Sequence, residues 1–165
     1  MDTHVPDLGL SSQATLILAQ ITEPSTNDLR LVVVEAKPQG VTVETSLGLA
    51  HPVQSDASSR GFELTWWRYV AYAVRNESYG KQEPAEPSPS GLFGSRRHSA
   101  FLAYVSASTF ATDDYPGPLV HWFLNTEWHC VDVVSDTGPE IRELTTDELT
   151  RALAGLDAQA AVHVR

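Results

Sequence analysis

Residues 62–74, FELTWWRYVAYAV, decide the fold of this chain. Read as a strand, Phe62, Leu64, Trp66, Val70, Tyr72 and Val74 share a face, and Arg68 interrupts the alternation. Read as a helix, Leu64, Trp67, Ala71 and Val74 make a stripe, with Thr65, Arg68, Tyr72 and Arg75 opposite. Two adjacent tryptophans, two tyrosines and the lack of a strong cap favour the strand.

The segments on either side support that choice. Residues 13–22 (QATLILAQIT) are a short apolar run closed by Glu23-Pro24-Ser25, and residues 29–35 (LRLVVVE) are rich in β-branched side chains. Asn27-Asp28 between them supplies turn chemistry, which predicts a hairpin. After a turn at Pro38-Gln39-Gly40, residues 41–49 alternate cleanly and read as one half-buried antiparallel strand. Residues 54–60 read as a polar loop.

Past the aromatic segment, residues 80–98 (GKQEPAEPSPSGLFGSRRH) form a composition break that reads as a mobile internal loop. Residues 99–111 predict a short helix with Ser99 as N-cap, ended by the Pro/Gly-rich run at 113–118. Residues 119–124 and 128–135 predict a second hairpin around Asn125-Thr126-Glu127. Thr145 and Glu148 have capping-box spacing ahead of a C-terminal helical stripe at Leu149, Ala152, Leu153 and Leu156. Residues 1–10 read as a loose leader and 157–165 as a frayed tail. The whole is a single α+β domain dominated by antiparallel sheet, sandwich-like or covered by helices, with one short central helix and a C-terminal helix.

Composition narrows the chemistry. Eleven basic residues against 21 acidic ones leave a net charge of −10, with Lys37 and Lys81 the two lysines. Binding to a phosphate backbone draws on Lys and Arg, so no nucleic-acid partner is expected. No apolar run is long enough to span a bilayer, and the N-terminal residues lack the basic and apolar regions of a signal peptide. With Cys130 the lone cysteine, the expectation is a soluble, cytoplasmic chain. There is no GxGxxG, Walker loop, GxSxG, HExxH or CxxC, and no cofactor or metal is expected.

Two groups of residues stand out as sites. On the second hairpin, pairing Phe123 with His129 puts His121 and His129 on one face, with Glu127 in the turn and Asp132 on the opposite face, an acid–base set. The polar exit of the aromatic segment, Arg75-Asn76-Glu77, together with Trp66, Trp67 and Arg68, could hold a ligand. The leading reading is a non-enzymatic interaction domain whose acidic, aromatic surface meets a basic protein, with Trp66, Trp67, Trp122 and Trp128 as anchors. The alternatives are a small hydrolase- or lyase-like enzyme built on His121 and His129, and a small-ligand binder with an aromatic pocket.

Overall fold

The structure is a computed structural model that describes residues 8–10, 14–38, 40, 42–45, 48–50, 52–79 and 91–162. In chain order its strands are β1 Thr15–Thr22, β2 Leu29–Pro38, β3 Val43–Thr45, β4 Gly48–Ala50, β5 Val53–Gln54, β6 Gly61–Trp66, β7 Tyr69–Asn76, β8 Phe93–Arg96, β9 Val120–Asn125, β10 His129–Ser135 and β11 Glu140–Glu143. Helix α1, Ala100–Ser108, lies between β8 and β9, and α2, Thr146–Val162, follows β11.

The aromatic segment is extended, and it serves two sheets rather than one. β6 belongs to a sheet ordered β1-β2-β6-β11, with β5 added to β2, and β7 belongs to a second sheet ordered β7-β10-β9-β8. Trp67 and Arg68 carry the chain between them. Arg68 breaks the alternation because a strand ends there. The Tyr69 amide donates to the Asn27 carbonyl at 3.1 Å and ties the crossing to the β1–β2 turn.

Pairing register explains which residues fill the space between the sheets. In the first sheet Leu31 pairs with Leu64 and Val33 with Phe62. In the second, Val131 pairs with Leu124 and Val133 with Trp122. These side chains join Leu16, Leu29 and Trp66 in one core, most of them under 2% exposed. Each such side chain contributes roughly 1.5–3 kcal/mol relative to exposure. The fold is therefore an α+β sandwich of two antiparallel sheets. Its outer faces carry the helices: α2 lies against β1 and β2, and α1 against β9 and β10.

Several expectations are corrected. The alternating run 41–49 is not one strand, because β3 and β4 pair antiparallel with Thr45 opposite Gly48. A period of two cannot distinguish one long strand from two short ones paired with each other. Positions 41, 46 and 47 lie outside the described residues. The loop read over 80–98 contains β8, in which Gly94 pairs with Phe123. A Cβ on Gly94 would stand 2.4 Å from Phe123 Cζ, so a poor strand former is what lets this strand lie under the ring. Residues 80–90 lie outside the described part. Within the leader, Leu8 is buried and Arg60 donates to the carbonyls of Leu8 and Gly9. β11, a charged four-residue strand, carried no sequence signal, and it pairs with β6.

Other local readings hold. Ser99 caps α1, accepting from the Leu102 amide at 3.0 Å. Thr145 and Glu148 form the reciprocal capping box, the Thr145 amide donating to the Glu148 carboxylate at 2.9 Å. The stretch from Asp157 read as a frayed tail is instead helical as far as Val162, the end of α2, and residues 163–165 lie outside the described residues.

Candidate functional site

The outer face of the second sheet carries a chain of polar side chains. Its odd-numbered β9 residues and even-numbered β10 residues point away from the core, which places His121 and Asp132 side by side under α1. His121 is 2% exposed and Asp132 5%. His121 Nε2 lies 2.9 Å from Asp132 Oδ1, and His121 Nδ1 lies 2.7 Å from Ser99 Oγ. The second carboxylate oxygen of Asp132 accepts from Arg75 Nε and Nη2 at 3.1 and 2.8 Å. Phe101 of α1 sets its ring edge-on to the imidazole, at 5.5 Å between centroids.

The electrostatics assign the protons. Burial pushes the Asp132 carboxyl up, but the hydrogen bond from His121 and the charge of Arg75 outweigh it, and the net displacement is below the ordinary value. An ionised carboxylate only accepts, so Nε2 of His121 carries the proton toward it. The other ring nitrogen, Nδ1, faces the Ser99 hydroxyl. The hydroxyl oxygen in turn receives the Leu102 amide. The series Leu102–Ser99–His121–Asp132–Arg75 runs from a helix cap to an edge strand with each donor aimed at an acceptor.

This arrangement differs from the one read in the sequence. Phe123 pairs with Asp132, not His129, a slip of three residues along β10. An odd slip reverses the faces. Asp132 therefore joins His121, and His129 turns to the other side of the sheet, where its Nδ1 is enclosed and makes no hydrogen bond among the described residues. The turn shifts too, with Thr126 pairing to His129 through both its amide and its hydroxyl, so the tip residues are Glu127 and Trp128. Ser99 was legible only as a helix cap. Nothing in the linear sequence joins it to a histidine 22 positions away.

Glu127 goes to a second place. The tip of the β9–β10 hairpin borders a recess of about 420 Å³ lined by Glu77, Glu127, Cys130, Asn125, Thr126 and neighbours. The Glu77 amide donates to the Trp128 carbonyl at 3.0 Å, and the Glu127 amide donates to Leu16 of the first sheet at 2.8 Å. Both carboxylates are thus held by their backbones at one end of the sandwich. Trp128 is 54% exposed beside them, and Tyr79 is exposed two residues beyond Glu77. Asn76 accepts from the Ser78 amide and shapes the turn into Glu77. The Cys130 thiol is pushed up, by burial first.

The tryptophans divide, and Trp66 does not belong among surface ligand contacts. Trp66 and Trp122 are 1% and 2% exposed in the core, whereas Trp67 and Trp128 are on the surface. Trp66 ends β6 with its side chain in the core, and Trp67 begins the crossing; Trp122 lies within β9, and Trp128 lies in the turn before β10. Trp67 donates its indole N–H to Glu140, and Arg68 pairs with Asp136 at 2.9 Å, both at the crossing between sheets. Among the described residues, the guanidinium groups stacked on rings are Arg60 over Phe62 and Arg96 over Phe123.

Among the described residues no group of three or more His, Cys, Asp and Glu is placed to hold a metal ion. Nor is any helix among them long and apolar enough to cross a membrane. No protein-family model matches this chain, and neither a curated protein nor a solved structure matches it.

Proposed function

We propose that this is a protein-interaction domain that takes a basic side chain of its partner at the tip of the β9–β10 hairpin. The observation that carries the reading is the pairing of Glu77 and Glu127 around one recess beside the exposed Trp128, in a chain of net charge −10. Two carboxylates favour a cation, and Trp128, next to Glu127 in the chain and exposed, offers the same partner an aromatic surface, where a cation–π contact would add about 0.5–2 kcal/mol. Long-range attraction from the acidic chain would raise the encounter rate with a basic partner.

The test is titration with short peptides carrying Arg or Lys among neutral residues, followed by calorimetry and by amide shifts. Binding should fall about tenfold or more in Glu77→Gln/Glu127→Gln and in Trp128→Ala, and weaken with added salt. Equal affinity for wild type and the double glutamine variant would remove this reading.

A second reading, hydrolytic, is favoured by one observation: Ser99, His121 and Asp132 stand in hydrogen-bonded series. In it His121 Nδ1 takes the Ser99 proton as the hydroxyl oxygen bonds the acyl carbon, then passes that proton to the leaving group as its bond to that carbon breaks; water later cleaves the acyl-serine, and Asp132 orients the imidazole throughout. Burial of the imidazole and use of Ser99 Oγ as a cap weigh against it. A fluorophosphonate probe decides: labelling of Ser99 that disappears in His121→Gln supports hydrolysis, and an unlabelled protein excludes it.

A further inference from the structure

Helix α1 and the turn after it have a composition at odds with their exposure. From Ser99 to Thr112 the chain holds no charged residue, in a protein where acidic residues outnumber basic ones 21 to 11. One residue of α1, Val105, is fully buried, while Ala100, Ala103, Tyr104, Ser106, Ala107 and Ser108 are exposed. Tyr104 is 66% exposed, Phe110 84% and Tyr115 65%, and the last two rings stack at 6.2 Å. A helix apolar around most of its circumference is one that another surface covers.

The flanking charges say which surface. Arg96, Arg97 and His98 precede the helix, and Asp113 and Asp114 follow it. A two-fold interface sets each surface against itself, so any charge at its centre meets its own kind. Here the centre has none. In an antiparallel pair, the basic end of one helix meets the acidic end of its twin, twice over. A parallel pair would set like charge on like. Ala103 and Ala107, one turn apart, would allow close approach, with Tyr104 and Phe110 packing beside them. For copies that otherwise repel at −10 each, this uncharged face with opposite charges at its ends is the complementary one.

We infer that α1 is the interface for a second copy of this chain, packed antiparallel about a two-fold axis. The contact is one short helix and its following turn, at the small end of stable interfaces, which sets the dissociation constant on the order of 10 µM.

Sedimentation equilibrium of the full chain tests this over about 1–100 µM. Wild type should pass from monomer to dimer, and Tyr104→Arg should remain monomeric with an unchanged thermal melt. Arg97→Glu alone and Asp113→Lys/Asp114→Lys alone should each weaken association about tenfold. Mixed one to one, these two variants should recover it, because each then meets the opposite charge at both ends. A wild type that stays monomeric at the highest concentration, a dimer that survives Tyr104→Arg, or a mixture that fails to recover would each overturn the proposal.

Discussion

His121 and Asp132 lie diagonally across the β9–β10 ladder, with Nε2 2.9 Å from Oδ1, and both side chains are almost fully enclosed. Arg75 reaches the same carboxylate from β7, but its own side chain is 55% exposed. The two partners therefore contribute unequally. Removing a buried acceptor strands a buried donor, whereas removing a solvated cation lets water replace it. We predict that Asp132→Ala destabilises the fold by about 3 kcal/mol and Arg75→Ala by about 1 kcal/mol, measured by urea unfolding. Equal losses would mean that burial does not rank these contacts.

The same carboxylate sets a pH dependence. Its folded value is displaced below the ordinary range, despite the opposing push of burial, through His121 and Arg75. A depressed carboxylate binds its proton more readily in the unfolded chain, so its stabilisation is complete above the unfolded value, about 3.9, and is lost as pH falls through the folded value. Stability of wild type minus that of Asp132→Asn should be constant near neutrality and shrink below about pH 4. A difference independent of pH from 7 to 3 would contradict an ionised Asp132.

Adjacent tryptophans give a sharper contrast. Trp66 pairs with Leu29 in the core, and Trp67 is 58% exposed with its indole on Glu140. Trp66→Ala should cost about 3–5 kcal/mol by unfolding, and Trp67→Ala less than about 1 kcal/mol.

These tryptophans also show how far the sequence could be read. Residue types favour an extended segment over a helix that fits the spacing as well, because aromatic and β-branched side chains suit a pleated surface. They do not say that the strand changes sheets, since Arg68 reads equally as a flaw in one strand or a break between two. The candidate site was less legible for a related reason. Whether His121 meets His129 or Asp132 depends on the register of one hairpin, and that is set by Thr126 closing on His129, a tertiary detail tied to Leu16 of the other sheet. β11 pairs through its backbone with β6, and its four side chains carry little apolar pattern to announce it.

The capping box at the start of α2 is shared with an ion pair. Glu148 accepts from the Thr145 amide and hydroxyl and from both Nη atoms of Arg142, and its carboxyl is pushed down to about 2, the Arg142 hydrogen bonds leading. Thr145→Ala removes one half of the box and should lower stability by about 1 kcal/mol, seen as a shift in the thermal midpoint. The group is solvated, so added salt should reduce the Arg142 share while the cap persists.

Gly94 is the residue that admits β8 to the second sheet. It pairs with Phe123, whose Cζ and Cε1 would lie 2.4 and 2.8 Å from an added Cβ. Real side chains do not approach so closely, and the ring cannot simply swing away, because it is 9% exposed and Arg96 lies over it at 5.1 Å. Gly94→Ala must therefore displace β8 or tilt the ring, at about 2 kcal/mol. Phe123→Leu should cost about 1–2 kcal/mol alone, by loss of packing. In the double variant the smaller side chain leaves room for the new methyl, so its cost should fall short of the two added together by about 1 kcal/mol or more. Strict additivity in urea unfolding would mean that the glycine is required for some reason other than the ring it faces.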